Sequence, residues 1–241
     1  MRMQFAKIIL ADIRILVSVS FPETVRFLGD YTADFDVPDV SVSVTDEDIR
    51  LEREKADTDT HIPSDKYLET LALYRKIAVA LLDFNVILMH GSSLSFDGVG
   101  YLFTAPSGTG KSTHARLWRD RYGSRVTMIN DDKPLIRFIG DTPMIYGTPW
   151  DGKHRLSTNT SCPLGGIALL KRSADNRISA IDQNDALATV FSQIYRHDTH
   201  DAMSKTVALV MRLVSTVPLY SLAVNMSPDA AEVASSAMHS K

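Results

Sequence analysis

The chain of 241 residues carries 26 basic and 29 acidic side chains, which gives a formal net charge of −3 with the histidines neutral. That balance does not favour nucleic acid or an anionic membrane as a partner. Hydrophobic residues make up 44% and charged residues 23% of the chain, the proportions of an ordinary globular protein rather than of a disordered, fibrous or membrane protein.

The N-terminal region is predicted to be rich in β-structure. Apolar and β-branched residues alternate or run together through residues 5–19, and residues 40–44 read Val-Ser-Val-Ser-Val in strict period two, so both segments are predicted as strands. Turn residues and the charged stretch 46–59 separate and follow them. We place a boundary near residue 62, which gives a small β-rich region over 1–62 and a larger domain over 63–241.

A helix opens the larger domain. From Ser64, an N-cap residue, apolar side chains recur every three or four positions, which predicts an amphipathic helix ending near Asn85. Short strands are predicted at residues 86–89, 92–96 and 100–104. A glycine-rich segment follows at 105–113, and then a helix over 114–121 that Gly123 ends.

The C-terminal half continues the alternation of strands and helices. Strands are predicted at residues 126–129, 135–139, 144–146, 165–170 and 219–224, with a polar loop over 147–163. Helices are predicted to begin at Asp182, to cover 202–215, and to begin again at Ser227-Pro228. The pattern predicts an α/β protein.

Several features bear on the cellular compartment. The single cysteine, Cys162, excludes an intrachain disulfide and a zinc site built from several cysteines, and is typical of a reducing compartment. The apolar run at residues 8–11 is too short for a signal-peptide core. The longest apolar stretch elsewhere, around residues 77–82, falls far short of the roughly 20 residues of a membrane-spanning helix. We expect a cytoplasmic protein.

The strongest signal for function lies at residues 105–112. They read Ala-Pro-Ser-Gly-Thr-Gly-Lys-Ser, which matches the phosphate-binding loop (P-loop) pattern with alanine where glycine is commoner. A predicted strand enters this segment and a predicted helix leaves it, a context that separates a working loop from a chance glycine-rich turn. The glycines let backbone N–H groups turn toward a polyphosphate, and the helix N-terminus adds the positive end of its dipole.

The loop pattern assigns roles to individual residues. Lys111 is expected to reach the β- and γ-phosphates, and the Ser112 hydroxyl is expected to face Mg²⁺. The predicted nucleotide-binding residues are Ser107, Gly108, Thr109, Gly110, Lys111, Ser112 and Thr113.

Two further motifs flank this loop in sequence. Asp131 and Asp132 follow the predicted strand 126–129, where a carboxylate can hold Mg²⁺ or its water shell and a second can serve in proton transfer. The alternative for this Asp-Asp-Lys-Pro segment is a solvated turn. His90 follows the predicted strand 86–89, and taken alone it fits a structural histidine bonded to the backbone.

Together these motifs resemble a known family. Met89-His90-Gly91, the 105–112 segment and Asn130-Asp131-Asp132 resemble, in order and spacing, the catalytic domain of HPr kinase/phosphorylase and, more distantly, ATP-dependent phosphoenolpyruvate carboxykinase. The resemblance covers residues 89–132 closely and 165–170 more loosely. It implies an α/β fold with a mixed sheet and an inserted P-loop, of the HPr kinase/phosphoenolpyruvate carboxykinase type. It also implies ATP as phosphoryl donor and Mg²⁺ as the metal.

The same resemblance implies residue roles. Asp131 would act as the base toward a serine hydroxyl, Lys111 would bind the phosphates, and His90 would tune the acidic pair. Asp132 and Ser112 would face the metal. The division of roles between Asp131 and Asp132 stays open.

The sequence also departs from that family. Its later Glu and Arg, just before a Gly-Leu-Gly stretch, have no counterpart in residues 159–166, so the resemblance does not extend to recognition of HPr or to reverse phosphorolysis. In their place stands the segment 147–155, where an exposed Trp150 and three basic side chains would line a substrate pocket. The alternative is a packed Trp150 beside a solvated basic loop. The divergence is similar to HPr kinase-like proteins of peptide-modification gene clusters, some of which phosphorylate a serine on a precursor peptide.

The sequence therefore predicts an ATP-dependent kinase that transfers the γ-phosphoryl group to a hydroxyl, expected to be a serine of a peptide or protein. The alternative is a non-catalytic ATP-binding sensor or assembly module, which the missing Glu and Arg favour. A decarboxylating carboxykinase is disfavoured because 241 residues leave little room for that enzyme's substrate domain. Neither nucleic acid nor membrane is expected as a partner. Members of the resembling family assemble, so a homo-oligomer is compatible with the resemblance.

Overall fold

The computed structural model describes residues 3–55, 63–195 and 199–239. The chain divides into two compact units, Met1–Phe84 and Asn85–Lys241. Residue 62, where the sequence analysis ends the N-terminal region, lies outside the described residues. The helix that was predicted to open the larger domain packs within the first unit.

The first unit contains a small sheet and three helices. Its elements are β1 (Gln4–Leu10), β2 (Ile13–Val19), α1 (Pro22–Leu28), β3 (Val40–Ser43), α2 (Asp46–Lys55) and α3 (Asp65–Ala80). Strand β2 pairs antiparallel with β1 and parallel with β3. The small N-terminal sheet is present as predicted. The Ser64 side chain caps α3 by accepting a hydrogen bond from the Tyr67 N–H at 3.4 Å.

Helix α2 occupies the charged stretch that the sequence analysis treated as a break between elements. Thr45 and Asp48 form a reciprocal cap, with the Thr45 N–H donating to Asp48 Oδ2 at 2.8 Å and the Asp48 N–H donating to Thr45 Oγ1 at 3.3 Å. Arg50 forms ion pairs with Glu47 and Glu54, three and four residues away on the same helix face. Pairing of opposite charges one turn apart, rather than an apolar stripe, is the helix signal in this stretch.

The second unit is an α/β domain. Its elements are β4 (Val86–Leu88), β5 (Ser92–Phe96), β6 (Val99–Thr104), α4 (Lys111–Tyr122), β7 (Val126–Asn130), β8 (Leu135–Ile139), β9 (Thr142–Tyr146), β10 (Ser161–Arg172), β11 (Arg177–Ala180), α5 (Gln183–Ser192), α6 (His200–Thr216), β12 (Leu219–Val224) and α7 (Asp229–Met238). The α/β class and the mixed sheet are confirmed. Among the described residues, no helix is long and apolar enough to cross a membrane.

Nine strands of the second unit form one mixed sheet. The order is β4-β8-β9-β10-β6-β5-β7, and β12 pairs with both β10 and β11. Strand β10 is longer than the predicted strand because its first residues, 161–163, pair antiparallel with β9. From Leu164 onward it pairs parallel with β6, and the register of this pairing shifts once, between Leu164 and Gly166. Strand β10 therefore links the two parts of the sheet.

Helices α4 and α7 cover one face of this sheet and bury its aromatic side chains. The indole of Trp118 in α4 is fully buried, with its ring centroid 5.4 Å from Phe96, 5.7 Å from Tyr101 and 5.7 Å from Phe103. Ala168 and Leu170 of β10 belong to the same buried cluster. This packing fixes α4 against the sheet, and with it the position of the first turn of α4.

His114, in the first turn of α4, makes the stability of this core depend on pH. It is 1% exposed, and its Nε2 accepts a hydrogen bond from Trp118 Nε1 at 3.0 Å. Burial lowers the pKa of His114 from 6.5 to about 4. Between these values the unfolded chain binds the proton and the folded protein does not. The free energy of unfolding is therefore expected to fall by roughly 3 kcal/mol as the pH falls through this window.

Denaturant titrations at about pH 7 and about pH 4.5 test this expectation. The matched variant is His114→Gln, which keeps an acceptor for Trp118 but does not titrate. It is expected to lose clearly less stability on acidification than the wild type. An equal loss in both proteins would show that His114 is not responsible.

Candidate active site

The predicted site residues meet at one edge of the larger sheet. Strand β5 runs antiparallel to both β6 and β7, so β6 and β7 are parallel and their C-terminal ends lie at the same edge. The segment 105–110, which we call the 105–110 loop, leaves this edge after β6. Asp131 and Asp132 leave it after β7. The sheet order therefore places the loop and the acidic pair close to each other.

The 105–110 loop turns from β6 directly into the N-terminus of α4. Gly108 and Gly110 have φ values of 76° and 119°, a backbone conformation that residues with a Cβ rarely adopt. Gly110 is the N-cap residue of α4. The N–H groups of the first helical turn have no partner within the helix, and with the dipole they make this end attractive to an anion.

Lys111 is the first residue of α4 and is 8% exposed. Its Nζ donates hydrogen bonds to the carbonyl oxygens of Ala105 at 2.9 Å and Pro106 at 3.3 Å. Burial lowers the pKa of Lys111, with nearby Asp132 and Asp131 opposing that effect. Because a phosphate oxygen is a stronger partner for an ammonium than a neutral carbonyl, Lys111 is placed to exchange these contacts for an anion.

Asp131 is buried and is held by hydrogen bonds to residues of two other segments. Its Oδ1 accepts a hydrogen bond from Ser92 Oγ at 2.7 Å, and its N–H donates to Asp151 Oδ1 at 3.1 Å. A Cβ built on Gly152 would lie 2.9 Å from Asp131 Oδ2. Within the described parts of the chain, Oδ2 accepts no hydrogen bond. The carboxylate therefore has a fixed orientation and one oxygen able to accept a proton.

Asp132 is half-buried between His90 and Lys133. Its Oδ1 lies 3.3 Å from His90 Nε2, and its Oδ2 lies 3.0 Å from Lys133 Nζ. Burial raises the pKa of Asp132, but the hydrogen bond from His90 and the charge of Lys133 outweigh burial, so the pKa lies below its usual value. Asp132 thus stays ionised at neutral pH, which is the form that a carboxylate needs to bind a metal ion.

His90 is held at the same edge of the sheet by its backbone and its ring. Its N–H donates to the Gln193 carbonyl at 2.7 Å, and its Nδ1 lies 3.2 Å from Gln193 Oε1. With Nδ1 directed at this acceptor, Nε2 is directed at Asp132. His90 therefore contacts the acidic pair through Asp132, and its role in tuning that pair stays a prediction.

Gly91 allows the backbone after His90 to lie directly against β6. A Cβ built on Gly91 would come within 2.6 Å of Leu102 Cδ1 and 2.9 Å of the Phe103 carbonyl oxygen. Gly91→Ala is therefore expected to lower the free energy of unfolding by about 1–3 kcal/mol, measured by chemical denaturation.

The matched control for this variant is Gly166→Ala. A Cβ there would meet side chains and no backbone atom, Met238 Cε at 3.2 Å, Tyr220 Cε2 at 3.3 Å and Tyr101 Cδ1 at 3.5 Å, so a smaller loss is expected. If Gly91→Ala is as stable as Gly166→Ala, the close approach does not constrain the fold.

Asn130 shapes the turn that carries both aspartates. It is fully buried, and its Nδ2 donates to the Thr148 and Trp150 carbonyl oxygens at 3.0 and 3.3 Å. Its Oδ1 accepts hydrogen bonds from the Asp132 and Lys133 N–H groups at 2.8 and 2.5 Å. One amide side chain thus joins the acidic turn to the segment 147–155.

The segment 147–155 differs from the expectation of an exposed tryptophan. Trp150 is 6% exposed, so the packed alternative is the correct one, and its carbonyl oxygen accepts a hydrogen bond from Asn130. Asp151 closes the turn that follows: it accepts hydrogen bonds from the Gly152 N–H and the Ser157 N–H, both at 2.7 Å. The exposed side chains of Lys153 and His154 lie beyond it.

The 105–110 loop, the first turn of α4, His90, the two aspartates and residues 151–154 surround a cavity of about 550 Å³. Its lining comprises His90, Ser107, Gly108, Gly110, Lys111, Ser112, Thr113, Asp131, Asp132, Asp151, Gly152, Lys153 and His154. Nearly every predicted site residue is included. Thr109 is not part of this lining; its hydroxyl donates to the Pro106 carbonyl at 2.8 Å. The volume is within the range of small-molecule sites.

Three residues of the site were missed by sequence reasoning: Ser92, Asn130 and Asp151. Ser92 and Asn130 are fully buried polar residues at strand ends, and buried polar residues must find hydrogen-bond partners. For Asn130 the available signal was a polar residue at the end of a mostly apolar strand, whereas Ser92 begins a strand with two further serines and was not distinguished by such a signal. Asp151 had no comparable signal, because it acts by accepting a hydrogen bond from the N–H of Asp131, 20 residues earlier in the chain.

The residues present fit a magnesium ion bound together with a polyphosphate. The cavity offers the Ser112 hydroxyl and the Asp132 carboxylate, hard oxygen donors of the kind Mg²⁺ takes alongside phosphate oxygens and water. In the ranges 3–55, 63–195 and 199–239, no three His, Cys, Asp or Glu side chains form a metal site by themselves.

Comparison with known proteins gives a distant likeness to solved structures. No family model matches the chain, and no curated protein matches it. The solved structure of the HPr(Ser) kinase/phosphatase from Coxiella burnetii is similar with a TM-score of 0.33 and 11% sequence identity, over 62% of this chain and 94% of that chain. At this level the relationship is distant, so the chemistry of the present chain has to be inferred from its own residues.

Proposed function

We propose that this protein is an ATP-dependent kinase that transfers the γ-phosphoryl group to the hydroxyl of a serine in a peptide or protein. The observation that carries the proposal is the cavity, in which an anion-binding helix start with Lys111 and a pair of aspartates line the same space. Phosphoryl transfer needs both parts, one to bind and neutralise the phosphates and one to receive the hydroxyl proton.

The nucleotide side of the site is the 105–110 loop with the first turn of α4. The triphosphate is bound by backbone N–H groups of the loop and helix start, and Lys111 leaves its carbonyl partners for the β- and γ-phosphates. Binding is strong here because Lys111 is buried, where charge interactions are less screened than on the surface.

The acceptor side of the site is Asp131. The serine oxygen attacks the γ-phosphorus, the bond from that phosphorus to the β–γ bridging oxygen breaks, and ADP leaves with the electron pair. The hydroxyl proton passes to Asp131, whose Oδ2 is the oxygen left without a hydrogen bond among the described residues. Ser92 orients this carboxylate during the transfer, and Asp151 fixes the backbone of Asp131 by accepting a hydrogen bond from its N–H.

Asp132 and Ser112 are the residues that would hold Mg²⁺. When bound with the nucleotide, Mg²⁺ neutralises phosphate charge and polarises the phosphoryl group. The depressed pKa of Asp132 supports this role, because an ionised carboxylate is required. His90 and Lys133 position Asp132 and keep it charged.

Incubation with ATP, Mg²⁺ and serine-containing peptides or small proteins tests the proposal, with intact mass and ADP release as readouts. Each peptide is paired with the same peptide carrying alanine in place of serine. The proposal predicts one phosphoryl group on the serine form, none on the alanine form, and ADP in equal amount. Bound ATP with no ADP and no phosphorylated product across the panel would indicate the sensor alternative, and absence of ATP binding would contradict both.

A further inference from the structure

Strand β10 extends past the end of β6 toward the 105–110 loop. The two strands are parallel, and Leu169 of β10 is opposite Thr104, the last residue of β6. Three more residues of β10 therefore continue beyond the point where the loop begins. Their backbone stays in the sheet because it pairs with β12 as far as Arg172 opposite Val224.

The side chain of Arg172 lies on the face of the sheet that α4 covers. Side chains alternate along a strand, so Arg172 shares a face with Ala168 and Leu170. Both of those residues pack in the buried cluster that contains Ala115 and Trp118 of α4. The side chain of the neighbouring Lys171 lies on the opposite face of the sheet and is exposed.

Arg172 holds the 105–110 loop by two consecutive carbonyl groups. Its Nη2 donates to the Gly108 carbonyl oxygen at 2.5 Å, and its Nε donates to the Thr109 carbonyl oxygen at 3.2 Å. Arg172 does not line the cavity, and neither does Thr109. The guanidinium therefore contacts the loop from its outer side.

These two contacts set the direction of the loop's N–H groups. In a planar trans peptide the C=O and N–H groups point in opposite directions. With the Gly108 and Thr109 carbonyls directed at Arg172, the N–H groups of Thr109 and Gly110 are directed away from it. The Thr109 N–H donates to the Pro106 carbonyl oxygen at 3.4 Å and is therefore occupied within the loop, whereas the Gly110 N–H belongs to a residue that lines the cavity proposed for the phosphates.

We propose that Arg172 is a positioning residue that holds the 105–110 loop in its phosphate-binding shape before the nucleotide arrives. Both glycines of the loop are conformationally permissive, so without the two hydrogen bonds from Arg172 the loop can occupy other backbone conformations. The nucleotide would then have to order the loop when it binds, which lowers affinity. A loop that is already ordered does not carry this cost. This inference rests on the proposed nucleotide binding and extends it to a residue outside the cavity.

Calorimetric titration of Mg·ATP into the wild type, Arg172→Ala, Arg172→Lys and Lys171→Ala tests the proposal. Arg172→Ala is expected to weaken binding by about tenfold, which corresponds to the loss of one or two hydrogen bonds from a charged donor. Arg172→Lys is expected to recover only part of this loss, because lysine keeps the charge but lacks the planar fork that reaches two carbonyls. Lys171→Ala removes a neighbouring surface charge on the other face and is expected to bind within about twofold of the wild type.

Thermal unfolding without nucleotide separates loop positioning from a general structural role. The melting temperature of Arg172→Ala is expected to stay close to that of the wild type, since the side chain is exposed. Unchanged ATP affinity in Arg172→Ala would overturn the inference and leave the proposed function standing. Full recovery by Arg172→Lys would show that charge, not geometry, matters, and would also overturn it. No binding by the wild type itself would contradict the proposed function, and this inference with it.

Discussion

Lys111→Ala is expected to weaken binding of Mg·ATP by about 100-fold, because it removes the buried ammonium proposed to contact the β- and γ-phosphates. The truncation leaves no unpaired charge in the nucleotide-free protein, since the present partners of Lys111 are neutral carbonyl groups. Folding should therefore persist, which circular dichroism checks. Calorimetric titration with Mg·ATP measures the effect directly.

The matched control is Lys153→Ala, which removes a positive charge from the rim of the same cavity. Lys153 is exposed and lies outside the loop and helix start, so its loss is expected to change ATP affinity by less than about threefold. Similar losses in the two variants would mean that ATP affinity reflects the total charge of the cavity rather than the position of Lys111.

Asp131→Asn is expected to lower the rate of phosphoryl transfer by about 10³-fold while ATP affinity changes only a few-fold. Asparagine has nearly the same shape and can still accept the hydrogen bond from Ser92, but it does not take up the hydroxyl proton. Single-turnover phosphorylation of a serine peptide measures the rate, and calorimetry measures the affinity. A variant with the wild-type rate would rule out Asp131 as the base.

Asp132→Asn separates the two carboxylates. Because Asp132 pairs with His90 and Lys133 and is assigned to the metal side, its amide is expected to raise the Mg²⁺ concentration needed for half-maximal transfer. Saturating Mg²⁺ should then restore most of the rate, whereas it should not restore Asp131→Asn. The reverse pattern would exchange the roles of the two residues.

The parts of the site that sequence could predict are those encoded by local pattern. The strand, the glycine-bearing loop and the helix around Lys111 are consecutive in the chain. Gly110 begins the helix and Gly123 ends it, each in a backbone conformation that glycine favours. Asp131 and Asp132 were identified because they directly follow a short apolar strand. In each case the signal and the structure lie within a few residues of one another.

The parts that sequence could not predict depend on which strands are neighbours. Ser92 reaches Asp131 because β5 lies between β6 and β7, and Arg172 reaches the 105–110 loop because β10 lies beside β6. Neither adjacency can be read from hydrophobic periodicity, which reports the faces of an element and not its partners. The burial of Trp150 could not be decided from the sequence either, because its segment meets Asn130, 20 residues earlier in the chain, and hydrophobic periodicity does not report such contacts.

The central claim is that the 105–110 loop and Lys111 bind the β- and γ-phosphates of ATP. Calorimetric titration of the wild-type protein with ATP, ADP and AMP in the presence of Mg²⁺ tests it most directly. The account predicts clear binding of ATP and ADP and at least about 100-fold weaker binding of AMP, which lacks the phosphates that Lys111 and the helix start contact. Equal affinity for all three nucleotides, or no heat with ATP, would contradict it.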